Sequence, residues 1–195
     1  MARTQAADYG ERRDAIIGKA AELYAGRGFL GASVADLAEA LGMSKSLIYH
    51  YYPSKEDILF DVMHSHVRAL LDAAEAVVAR EGAAADKLDA LTHDFMRLYV
   101  GAASRHKVLL NELARLPAKQ REVVVRIQRR LIDIVEALIA EIRPELKARR
   151  PAAMLYFGMI NWTHTWLDPD GKVAPAKVAS LANAIFLDGL TKAAV

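Results

Sequence analysis

Apolar positions recur along this chain every three to four residues almost from end to end, and the strict alternation that a half-buried strand requires is nearly absent. The pattern predicts an all-α protein of about nine helices. A first helix over residues 11–27 carries Ile16, Ala20, Leu23 and Tyr24 on one face, with Gly28 at its end and Phe29 as an anchor beyond it. Val34, Leu37, Ala38 and Leu41 then fall at the i, i+3, i+4, i+7 spacing of a short amphipathic helix. Ser33 with Asp36 has the form of a capping box at its start, and Gly42 stands where the helix must stop.

Ser44 is placed to cap another short helix after a turn of about three residues. On that helix Ile48 and Tyr52 face a small core, which leaves Lys45, Ser46, Tyr49, His50 and Tyr51 outward. Ser54 and Asp57 repeat the capping form behind Pro53 and open a long helix over residues 55–80. Further helices are expected over 86–104, 107–116 and 118–142. Pro144 and Pro151 bracket a charged linker, and two last helices cover 152–166 and 174–190.

Residues 33–55 thus specify two short helices at a tight turn followed by an aromatic, basic surface, the spacing of a helix-turn-helix. Bulk charge adds nothing to that reading. The net charge is +2, yet residues 1–60 hold seven Lys or Arg against eight Asp or Glu. Local placement is what counts: residues 42–55 contain two lysines, one histidine and no acid.

The run SVxxLAxxxGMSKxxxYxxYxxK from Ser33 to Lys55 resembles the DNA-binding domain of TetR/AcrR-family transcriptional regulators, and the similarity covers residues 14–59. Two positions depart from the family pattern. Tyr52 stands where Phe is usual, and Ser33 where Thr is common. The resemblance implies a helix-turn-helix domain over residues 1–54 and a ligand-binding and dimerisation domain over 55–195. It implies a twofold pair of chains whose recognition helices, about 34–36 Å apart or a multiple of that, meet a palindromic double-stranded operator. By motif position it assigns Lys45, Ser46 and His50 to base edges, and Ser33, Ser44, Tyr49, Tyr51 and Lys55 to phosphates. Capping alone also accounts for Ser33 and Ser44. Three large rings together on one short helix are harder to explain without something to cover them.

The last two helices call for a second surface. On the first of them Leu155, Met159, Trp162 and Trp166 form one face, and Met154, Phe157, Asn161, His164 and Thr165 another, so nearly the whole circumference wants burial. On the second, Val178, Leu181, Ala182, Ile185 and Phe186 make a stripe with small residues interspersed. A homodimer with a four-helix interface is the economical arrangement; the interior of a monomer is the alternative.

A pocket for an effector is expected to draw on Met63, His66, Phe95, Tyr99, Leu109, Leu110, Leu113, Ile127, Leu131, Phe157 and Asn161, although each also suits plain core. Asn161 and His164 are polar on apolar faces and must find partners. The stretches over 109–117 and 157–171 resemble the C-terminal region of regulators of fatty-acid, phenylacetate or steroid degradation. That resemblance implies a small hydrophobic effector of the acyl-CoA thioester class. Arg121, Arg126, Arg129 and Arg130 could face its phosphates, or be a solvated helix face.

Composition bounds what else the chain could be. Its 195 residues are 53% hydrophobic and 26% charged, enough for a sizeable core. The absence of cysteine excludes a disulfide framework and thiolate metal sites. No apolar run approaches the ~18 residues of a membrane span, and the first residues lack the apolar stretch of a secretion signal, so a cytoplasmic protein without membrane partner is expected. No cofactor is called for. An enzyme finds no P-loop, GxSxG or HExxH, and His64 and His66 are too close in sequence to share a helix face. A nonspecific nucleoid-type DNA binder is disfavoured by the near-neutral first sixty residues.

Overall fold

In the N-terminal part three helices start behind Ser33, Ser44 and Ser54, and the first of these stops at Gly42, as the caps predict. The computed structural model describes residues 2–168 and 170–192, with side chains from Tyr9 on, and among these the chain forms nine α-helices and no strand. They are α1 (Ala2–Gly31), α2 (Val34–Ala40), α3 (Lys45–Tyr51), α4 (Lys55–Val78), α5 (Ala84–Gly101), α6 (Ala103–Glu112), α7 (Ala118–Ile142), α8 (Arg149–Asn161) and α9 (Pro175–Lys192). Short 3₁₀ turns follow α6 and α8. No described helix is long and apolar enough to cross a membrane.

Gly28 interrupts α1 with φ of 73°, a conformation that costs glycine nothing and other residues a good deal. At the end of α2, Gly42 has φ of 62°. There the Met43 N–H reaches the Ala38 carbonyl (2.9 Å) and the Gly42 N–H that of Glu39 (3.1 Å), the paired bonds of a Schellman stop. Several boundaries differ from expectation: α1 starts at Ala2 and continues past Gly28 to Gly31, and α8 ends at Asn161, with a 3₁₀ turn over Trp162–Thr165 in place of further α-helix. Pro151 lies in the first turn of α8 rather than before it, because the first backbone N–H groups of a helix have no intrahelical acceptor and a proline there forfeits nothing.

The chain clusters into two compact units whose limits do not follow the 54/55 boundary. One comprises the residues up to Val67 together with Ser104–Val124, and so joins α1, α2, α3 and the start of α4 to α6 and the first turns of α7. The other comprises Arg68–Ala103 and the residues from Val125 on. In the first, Ile16, Leu37, Ile48, Ile58, Leu59 and Met63 are fully buried; in the second, Leu88, Leu91, Phe95, Ile139 and Tyr156 are. α9 packs along α5 and also meets α8.

Candidate nucleic-acid interface and sensor core

The helix-turn-helix is built by its caps. The Ser33 hydroxyl accepts from the Asp36 N–H (3.1 Å) and donates to the Asp36 carboxylate (2.7 Å), which in turn accepts from the Ser33 N–H (2.6 Å). These bonds hold the Asp36 carboxyl below its ordinary range. The one proton of the Ser33 hydroxyl, which a phosphate contact would need, is therefore spent at the cap, which argues for the capping reading of this residue. Ser44 accepts from the Leu47 N–H (3.1 Å), a bond that uses an oxygen lone pair and leaves its proton to give.

After the second cap, α3 is held by Ile48 and Tyr52, both buried. Lys45, Ser46, Tyr49 and His50 face outward, and Tyr49 is 46% exposed. Two of the residues assigned to phosphates do not face outward freely. The Tyr51 ring is half-buried, with the Tyr9 ring of α1 4.7 Å away centroid to centroid and the His50 ring 5.5 Å away edge-on. The Lys55 ammonium turns inward, donating to the Phe29 carbonyl and lying 4.1 Å from the Phe29 ring centroid. Partial burial draws the Lys55 pKa below the usual lysine value. Lys55 as a phosphate contact is thus corrected: its charge serves the joint between α1 and α2, a long-range partner that no local pattern reveals.

Tyr52 repays its departure from the usual Phe. Its hydroxyl donates to Asp61 Oδ2 (2.6 Å) and accepts from Arg13 Nε (3.2 Å), while Arg13 Nη2 also bonds Asp61 Oδ2 (2.6 Å). Burial, reinforced by Asp61, raises the phenol pKa and keeps it a donor. The triad ties α1 and α4 to the end of α3. Tyr52→Phe is expected to lower unfolding stability by about 1 kcal/mol, since it removes two partly buried hydrogen bonds and leaves Asp61 with Arg13; urea titration measures it.

The residues expected around an effector divide between the two units. Met63, His66 and Leu109 are buried in the first, where His66 Nε2 and His106 Nδ1 approach to 3.2 Å; Leu110 and Leu113 there are half-buried. In the second unit, Phe95 stacks on Tyr99 (6.1 Å) and meets Phe157 (6.0 Å), giving a continuous aromatic cluster. Leu131 is buried, while Ile127 and Asn161 are half-buried. Asn161 Oδ1 is inaccessible to solvent and has no hydrogen-bond partner among the described residues. His164 Nδ1 sits 2.7 Å from the Asn161 carbonyl, a local partner. A cavity of about 460 Å³ opens beside α5 and α9, bordered by His93, Met96, Arg97, Val100 and Pro175, and none of the expected lining residues borders it.

Sequence reasoning missed Thr92, whose hydroxyl donates to the Leu88 carbonyl (2.7 Å) and lies 2.9 Å from the Tyr156 hydroxyl inside the second unit. It reads as a polar helix position and gives no signal of burial.

The expected outward face of the last two helices also resolves. Met154, Leu155, Trp162, Trp166, Leu181 and Ile185 are all more than half exposed, Leu155 the most at 72%. Met159 and Phe186 are half-buried. Val178 and Ala182 are corrected: they are buried within the protomer, with Ala179 and Asn183, because α9 packs along α5 on that face. A step of three or four residues places 178 and 182 on one line and 181 and 185 on the next, about 60° around the helix.

A family model for the C-terminal domain of tetracycline-repressor-like proteins matches residues 81–190, and the model of the N-terminal domain of bacterial regulatory proteins of the tetR family matches residues 16–62. The chain belongs to the TetR family. This TetR-family chain is 26% identical over 192 residues to the transcriptional repressor KstR2 of Mycolicibacterium smegmatis, across 93% of this chain and 91% of that one. A crystal structure of a TetR-family regulator from Bordetella parapertussis superposes with a TM-score of 0.87 at 36% identity, over 94% of this chain and 97% of that one. AibR, solved in complex with isovaleryl coenzyme A and operator DNA, shares the fold with a TM-score of 0.81 at 23% identity, over 89% and 97% of the two chains. The helix-turn-helix lies within the N-terminal match, and the exposed apolar residues of α8 and α9 within the C-terminal one.

Proposed function

We propose that this chain is a transcriptional repressor that binds a palindromic operator as a cytoplasmic homodimer and is released from it by a small hydrophobic effector. The observation that carries the reading is the outward face of α3, where Lys45, Ser46, Tyr49 and His50 stand clear of the core on a helix fixed by two caps. Lysine matches the acceptor edge of guanine, and Ser46 and His50 beside it can reach base edges. The Tyr49 and Tyr51 hydroxyls and that of Ser44 suit phosphate oxygens. Six exposed apolar side chains on α8 and its following turn and on α9 supply the surface for a second copy.

For the effector, the aromatic cluster of Phe95, Tyr99 and Phe157 and the unpartnered Asn161 Oδ1 favour an apolar molecule with a hydrogen-bond donor. AibR is a fold relative solved with isovaleryl coenzyme A, which makes an acyl-CoA thioester the first class to try. Functionally the division is at residue 55, with DNA reading before it and sensing after it. α4 runs unbroken from Lys55 to Val78 and is the natural coupler. Effector binding repositions it and weakens DNA binding by no more than the effector's differential affinity for the two states.

The test is selection of operator sequences from random DNA with the purified chain, followed by fluorescence-anisotropy titration with isovaleryl-CoA and longer acyl-CoAs added. Enrichment of an inverted repeat, and its release by a thioester, are expected. Equal affinity for random and selected DNA would favour a nonspecific binder. Lys45→Ala is expected to weaken operator binding about tenfold while Kd comes to depend less on which base stands at its position. An unchanged base preference in a repeat selection would remove Lys45 from the reading set.

A further inference from the structure

The joint between α1 and α2 is held from two sides by helices distant in sequence. Gly28 breaks α1, and the next residue, Phe29, is bonded through both of its backbone polar groups. Its carbonyl accepts from the Lys55 ammonium at the start of α4. Its N–H donates to Glu112 Oε1 at the last residue of α6 (3.2 Å). The Glu112 side chain is only 17% exposed, its second oxygen lies 3.8 Å from Arg115 Nε, and a Cβ at Gly28 would stand 3.4 Å from its first. The Tyr24 and Phe29 rings meet edge-on at 5.4 Å beside this point.

A second bond from the same side reaches the other end of the DNA-reading segment. Gln120 Nε2 on α7 donates to Asp57 Oδ1 (2.7 Å), and Asp57 is the residue whose N–H is capped by Ser54 at the start of α4. The segment that carries α2 and α3 is therefore gripped just before its first residue and just after its last.

We infer that Glu112 is the positioning residue through which α6 sets the pose of the DNA-reading helices: its carboxylate fixes the Phe29 amide at the Gly28 joint, and its release lets α2 and α3 turn on α1. The inference rests on the DNA-binding reading above and adds a route through α6 to the one through α4. The bond from the partly buried Phe29 amide to the carboxylate is charge-assisted, and at 3.2 Å it is at the long end of its range, so a small movement breaks it. Glu112 is also where α6 ends and a 3₁₀ turn begins, so a small axial shift of α6 moves the carboxylate off the amide. The neighbouring Gly28, at positive φ, is the residue best able to absorb the change.

The experiment compares the full-length wild type with Glu112→Leu, which removes the acceptor, and Glu112→Gln, which keeps an acceptor of the same length. Two readouts are used: affinity for the selected operator, and hydrogen exchange of individual backbone amides. Glu112→Leu is expected to bind operator about tenfold more weakly and to exchange the Phe29 amide at least about tenfold faster, with the Ile48 and Leu59 amides unchanged. Glu112→Gln should fall within about threefold of wild type in both. A merely structural role would instead raise exchange throughout the first unit in step with a fall in melting temperature, and that result overturns the inference. Wild-type affinity in Glu112→Leu also overturns it, while the DNA-binding reading stands. If the wild type enriches no sequence at all, both fall together.

Discussion

Leu181→Asp with Ile185→Asp is expected to turn a dimer into a monomer in size-exclusion chromatography with light scattering, and to weaken operator binding by about 100-fold or more. The two residues stand 61% and 58% exposed on one line of α9, in a surface that also includes Leu155, Trp162 and Trp166. Large apolar side chains contribute roughly 1.5–3 kcal/mol each on full burial, so six that are already about 40% covered in the protomer offer roughly 5–11 kcal/mol from each chain and roughly 10–20 kcal/mol from the pair. That range exceeds or matches the cost of bringing two chains together. Two carboxylates inside such an interface, each copied by the twofold axis, would have to give up their hydration. The loss on DNA follows from linkage: a dimer that has bound one half-site presents its second helix at an effective concentration that a free monomer does not reach. A monomeric wild type, or a double variant with unchanged affinity, would remove the dimer from the proposal.

Stability is expected to fall on mild acidification, and His66 is the main cause. Burial, assisted by the nearby Arg105 charge, lowers its pKa to about 4 from an ordinary 6.5. Between those values the unfolded chain binds a proton at this position and the folded chain does not. Unfolding is thus favoured as pH falls through 6.5, and the loss is complete near 4. At pH 5 the group accounts for about 2 kcal/mol and at full protonation of both states for about 3 kcal/mol. The measurement is urea unfolding of wild type and His66→Phe at pH 7.5 and pH 5. The variant should show a shallower dependence by about 2 kcal/mol. Parallel curves would mean that His66 protonates in place, with its neighbour His106 and the surrounding turns giving way at little cost.

What could be read in the sequence was local. Ser33, Ser44, Gly28 and Gly42 act within four residues of themselves, and each does in the structure what its type and spacing predict. The all-α fold followed from periodicity for the same reason. What escaped were partners set by the tertiary fold. Lys55 looked like a free cation because its acceptor is the Phe29 carbonyl, twenty-six positions earlier. Tyr51 looked exposed because its cover is Tyr9, on a different helix. Val178 and Ala182 looked like interface because a run of apolar and small residues does not say which line of a helix its own neighbours occupy and which it leaves outside. The Tyr52 hydroxyl shows the converse: a departure from the family pattern that appeared to be a tolerated exchange is bonded to two side chains.

The Tyr9 ring bears on how DNA-reading parts can be exchanged between relatives. The N-terminal family match begins at residue 16, so a reading head exchanged over the matched residues alone would be cut inside α1, after Tyr9. A chimera spliced there would carry α3 away from the ring that lies on Tyr51, and graft it onto whatever the recipient's own first helix presents at that position. Junctions placed before Tyr9 keep the two rings from one parent, and a transplanted specificity should travel with them.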